Sequence, residues 1–132
     1  MAASRALRGE QGAAAVEFAL VLPLLMLLIF GIVDFGRMLN AQIVLTEAAR
    51  EGARATSIVD QSEGEAKVDA VLDGLGPVSK SVNGCPTPPG PGDDAVVTLT
   101  HTFSFVTPIG FLTGIAGGPI TLKGTGVMPC LR

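Results

Sequence analysis

Glu17 has the most unusual setting in this chain. It lies in the run "GAAAVEFALVLPLLMLLIFGIV", residues 12–33, in which no other charged residue occurs before Asp34. An ionised carboxylate within lipid is costly unless it meets a cation or reaches the headgroups. The chemistry open to Glu17 is therefore either snorkelling toward the headgroup layer or pairing with an amine. Asp34 and Arg37, three residues apart at the far end of the run, could pair with each other and mark the membrane interface. Cys85 and Cys130 are the only 2 cysteines, with no CxxC and only 1 histidine, His101, in the chain. Too few ligands remain for a metal, so no metal site is expected. One Cys85–Cys130 disulfide is the favoured state of an exported domain, two free thiols the alternative.

Catalytic patterns are lacking. There is no nucleophile elbow, phosphate loop or spaced carboxylate pair, so an enzyme, a cofactor or a small-molecule substrate is not expected. His101 stands in an alternating apolar pattern without a neighbouring Ser, Cys or carboxylate pair, which suits a satisfied core or edge histidine. Acidic residues in "SEGE" and at Asp93 and Asp94 suit turns and caps, since EF-hand spacing is absent. The net charge is −3, Trp and Tyr are absent, and Arg37, Arg50 and Arg54 are interleaved with Glu47 and Glu51. No basic stripe with aromatic partners exists, which excludes nucleic acid as a partner.

These residues need elements to position them. Residues 13–33 as a helix would be about 31 Å long, enough to cross a bilayer core. A cleaved secretory signal fits poorly, because the run is long, opens with a glutamate, and "DFGRMLNAQ" offers no A-x-A cleavage site. Retention as a single membrane helix follows. Arginines flank it on both sides, so positive-inside counting does not orient it. The short basic N-terminus suits the cytoplasm, and the Cys-bearing, Gly/Pro-rich remainder suits export. The expected location is the cytoplasmic membrane, N-terminus inside and C-terminal domain outside. Pro23 removes a backbone donor and is expected to kink or loosen the helix.

Past Asp34 the pattern becomes periodic. Phe35, Leu39, Gln42, Thr46, Ala49 and Ala53 recur at helical steps, so the helix is expected to continue outside the membrane over 34–58. Ser62 with Glu65 three residues on reads as a capping box for a second short helix, closed by Gly74 or Gly76. "VNGCPTPPGPGDD" is a Pro/Gly loop between a short strand at Val78–Val82 and the strongest strand signal, "AVVTLTHTFSF". There Val97, Leu99, His101, Phe103 and Phe105 share one face. Thr107 is a candidate N-cap, with Pro108 at the first position of a brief helical turn. "PITLKGTGVM" closes the chain as a strand with Ile120, Leu122 and Met128 on its apolar side. The expected fold class is α+β, a long N-terminal transmembrane helical spine with a small antiparallel sheet packed on its extracytoplasmic half. The organisation is 1–12, 13–33 in the membrane, 34–58 as its outer continuation, and 59–132 as a small α+β domain.

The stretch "RGEQGAAAVEFALVLPLLMLLIFGIVDFGRMLNAQIVLTEAAREGAR" resembles the N-terminus of TadE-like proteins, pseudopilins of the Tad (tight adherence, Flp-type) pilus machinery. The likeness is close over residues 8 to 55. It is looser at "VTLTHTFSFVTP" and "PITLKGTGVM", and "GTG" at 124–126 stands where many members have a Ser/Ala-rich stretch. The resemblance implies that a prepilin peptidase removes residues 1–12 as a leader, cutting after Gly12, four residues ahead of the Glu17–Phe18 pair. The mature chain would then begin at Ala13, one helical turn from Glu17. By the same likeness, the amine could belong to a neighbouring subunit, and its pairing with Glu17 would set register during assembly. Implied partners are the peptidase, other pilin and pseudopilin subunits, the membrane assembly platform and the lipid bilayer, in a minor pseudopilin role that serves adhesion at the cell surface or pilus. The alternative is an uncleaved single-pass protein whose outer domain acts as an adhesin or sensor.

Overall fold

A computed structural model describes residues 3–107 and 118–130, with side chains described from Gly12 onward. Helix α1, Ala3–Ile58, runs for 56 residues, about 84 Å at the usual rise. It begins well ahead of Ala13, so neither Gly12 nor Ala13 marks a break in secondary structure. Alanine and leucine, both good helix formers, are its commonest residues, and the helix continues through Pro23.

Helix α2, Gln61–Val71, lies antiparallel to α1 across a short turn and starts earlier than the Ser62–Glu65 pattern suggests. Asp60, with extended backbone, is the N-cap, and its carboxylate accepts from the Glu63 amide at 2.9 Å and from the Ser62 hydroxyl at 2.7 Å. A carboxylate with two oxygens outcompetes a serine already inside the first turn. The helix closes with the Leu72 amide on the Val68 carbonyl, and Gly74 at φ 84° turns the chain toward the sheet.

The sheet has the order β1-β2-β3, all antiparallel, with β1 at Val78–Asn83, β2 at Asp94–Phe103 and β3 at Ile120–Pro129. Its inner face lies on the C-terminal half of α1. Ala41, Leu45, Ala48, Ala49 and Ala53 of α1 meet Val97, Leu99, Phe103 and Leu122 of the sheet, with Val68 and Leu72 of α2 closing the side. Ile120 shares the parity of Leu122 and Met128 but is 37 % exposed, lying at the strand's start.

Close approach of β3 to the spine explains the departure at "GTG". A Cβ at Gly124 would stand 2.6 Å from the Leu45 carbonyl oxygen, and one at Gly126 would press closer still on the Ala49 carbonyl. Only glycine admits backbone at that separation. Gln42 adds a side-chain bond to the Lys123 carbonyl at 2.9 Å. This contact selects the small-residue face of α1, with Ala49 and Ala53 of the periodic series in the core. Phe35 and Leu39 are 58 % and 45 % exposed, while Asp34, Met38, Ala41 and Leu45 turn inward.

Cys85 and Cys130 are joined by a disulfide across a sequence separation of 45. By the chain-entropy relation such a link is worth about 4 kcal/mol. It ties the Pro/Gly loop to the end of β3, beside the Cys130 amide's bond to the Asp93 carbonyl at 2.9 Å. The helical turn expected from Pro108 onward lies outside the described residues.

Candidate functional site

Two places on α1 gather the chemistry. The first is its N-terminal part. From Gly12 to Phe30 every residue is exposed, with Leu20 at 75 % and Leu24 at 69 %. A helix that is apolar on all sides and uncovered by the described residues of its own chain belongs in lipid or against other helices. The stretch from Gly12 on is long and apolar enough to cross a membrane.

Gly12, Ala13, Glu17 and Phe18 all lie in this bare section. Helical geometry puts Ala13 and Glu17 one turn apart on the same face, about 6 Å along the axis. Glu17 has no hydrogen bond or ion pair among the described residues, and Phe18 is 65 % exposed. At Gly12 an added Cβ would meet nothing within 4 Å. Nothing among the described residues requires a glycine there.

The second place is the end of the apolar run, where Asp34 is only 2 % exposed. Its burial follows from the inward stripe Asp34, Met38, Ala41 and Leu45, which places it under the segment that continues β2. Asp34 accepts the amides of Val106 and Thr107, each at 3.3 Å, and the Thr107 hydroxyl in a short contact. Arg37 Nη1 stands 3.4 Å from Oδ1, the oxygen that also accepts the Val106 amide. The Thr107 hydroxyl is the chief cause of a carboxyl pKa below the ordinary aspartate value; burial opposes it, and the Val106 and Thr107 amides and then the Arg37 charge add to it. Thr107 thus donates its hydroxyl to Asp34, and the turn expected after it lies outside the described residues.

Arg37 links this knot to the sheet. Its guanidinium carbon lies 5.4 Å from the centre of the Phe103 ring, and Phe105 meets Phe103 edge-on at 5.7 Å. Beside it a cavity of about 240 Å³ opens between α1, the α2–β1 turn and β2, walled by Arg37, Asn40, Leu75, His101 and Phe103. His101 is 8 % exposed, and its Nδ1 donates to the Pro77 carbonyl at 3.0 Å. Among the described residues no group of three or more His, Cys, Asp or Glu could hold a metal ion.

Sequence reasoning placed Asp34 and Arg37 at the boundary but missed Val106 and Thr107. Their partner is 72 and 73 residues away, and nothing local betrays so distant a contact. Residues 12–54 match the family model described as TadE-like protein. No curated protein and no solved structure matches the chain.

Proposed function

From a TadE-like segment over residues 12–54, we propose that this chain acts as a minor pseudopilin in assembly of a Tad (Flp-type) adhesive pilus. The observation that carries the proposal is the bare helix. It exposes apolar side chains on every face from Gly12 to Phe30, with one carboxylate, Glu17, held a helical turn from Ala13.

A prepilin peptidase cuts between Gly12 and Ala13 and removes residues 1–12. The new ammonium at Ala13 then stands within reach of Glu17, in its own helix or in a neighbouring subunit. In lipid, each charge stabilises the other, and a subunit that leaves either one unmatched is disfavoured by several kcal/mol. Pairing therefore selects axial register. Residues 13–33 anchor the chain in the cytoplasmic membrane with the sheet-bearing end outside, where a disulfide is chemically at home. Above the anchor, exposed Phe35, Leu39 and Ile43 continue an apolar stripe at four-residue steps, a surface for neighbouring helices in the platform or fibre.

A second reading, an uncleaved tethered adhesin or sensor, draws on the compact disulfide-linked sheet, which needs no other subunit to close its core. Deleting the gene separates the two. Loss of surface fibres, restored by the full chain, supports the assembly role; normal fibres with weakened attachment or signalling support the tethered one.

A further inference from the structure

We infer that the cavity between Arg37, Asn40 and His101 holds the phosphodiester headgroup of a membrane phospholipid. This inference rests on the membrane placement of residues 13–33. Arg37 lies four residues beyond Val33, about 6 Å along the helix axis, and Ala41 about 12 Å. The headgroup layer on each side of a bilayer core is itself roughly 5–8 Å deep, so the mouth of the cavity opens at the height of the phosphates.

The walls suit that ligand. The Arg37 side chain is 48 % exposed, is oriented by the face of Phe103, and directs only Nη1 toward Asp34. Its remaining N–H groups form the planar fork that matches phosphate oxygens. Asn40, close to one turn further along α1, is exposed at the same cavity and offers an amide donor. The His101 ring, held by the bond from its Nδ1 to the Pro77 carbonyl at 3.0 Å, forms a further polar part of the wall. Phe103 and Leu75 supply the apolar wall against the glycerol backbone.

The local charge is also consistent. Asp34 is occupied by Val106, Thr107 and Arg37, and its negative charge offsets part of the arginine's. A nearly neutral site takes a phosphodiester whose own charge is single or internally balanced, and has less pull on a multiply charged free phosphate.

The test uses the full chain in nanodiscs that mix phosphatidylglycerol with a phosphate-free galactosyl diglyceride, followed by native mass spectrometry of the detergent-released protein. Retained phospholipid is expected on the unaltered chain and on Arg54→Gln. It should fall about tenfold in Arg37→Gln and in Asn40→Leu, the loss of a charge-assisted or amide hydrogen bond. Asn40→Leu leaves the Arg37–Phe103 contact in place, so a fold defect in one variant does not decide the outcome. Equal retention in the unaltered chain and both variants overturns the inference. So does displacement of the lipid by inorganic phosphate at matched concentration, which would mark a free-anion site. A chain that does not enter the nanodiscs defeats the membrane placement, and the inference with it.

Discussion

The carboxylate of Asp34 accepts both the hydroxyl and the amide of Thr107, 73 residues further along the chain. This contact fastens the end of the β2 segment to the spine at the level where the apolar run stops. Removing the charge should loosen it. In Asp34→Asn, exchange of the Val106 and Thr107 amide protons is expected to speed up by about ten- to a hundredfold, the range for losing charged hydrogen bonds at a buried group. Hydrogen exchange of the full chain in micelles measures this, and unchanged protection would show that the fastening lies elsewhere.

The same contact carries a pH dependence. The folded Asp34 pKa is depressed, so its contribution to stability is present in full above the unfolded value of about 3.9 and fades as the pH falls through the lower folded value. A carboxyl-carbon NMR titration of Asp34 should give a midpoint below about 3.9. A midpoint at or above that value would mean the Thr107 bond does not form.

At Gly124 and Gly126 the sheet touches the helix backbone, so added methyl groups have nowhere to go. Gly124→Ala and Gly126→Ala should each lose about 1–3 kcal/mol, with Gly126 the more sensitive. Thr125→Ala, on the exposed face between them, should stay within about 0.5 kcal/mol. Thermal unfolding of the full chain in micelles compares the three.

Much of this architecture could be read directly from residue patterns. An apolar run with a single glutamate, strict alternation from Val97 to Phe103, and a dense Pro/Gly loop each have few physical interpretations. The harder features depend on contacts between distant residues. Which face of α1 turns inward was settled by the glycines of β3, which demand the alanine side rather than Phe35 and Leu39. Asp60 displaced Ser62 as cap because two candidates within one turn compete on acceptor strength, which spacing does not reveal. The bond from Thr107 to Asp34 spans 73 residues, and no local pattern announces it.

Charge pairing at the N-terminus has its own signature. Glu17→Gln removes the negative charge, keeps the helix, and should leave the chain in the membrane but poorly incorporated into the assembly. Quantifying the chain in the membrane pool and in sheared fibres tests this. Normal fibre formation by the variant would eliminate the pairing mechanism while leaving cleavage itself open.

Cleavage is the central claim, and Gly12 allows a clean approach because a methyl group there meets nothing within 4 Å. Gly12→Ala should therefore block processing without disturbing the fold. The most direct measurement is the intact mass of the chain purified from its native membranes. A mass beginning at Ala13, with residues 1–12 absent, is the expected result; a chain that still carries those residues in cells with working pili would contradict it.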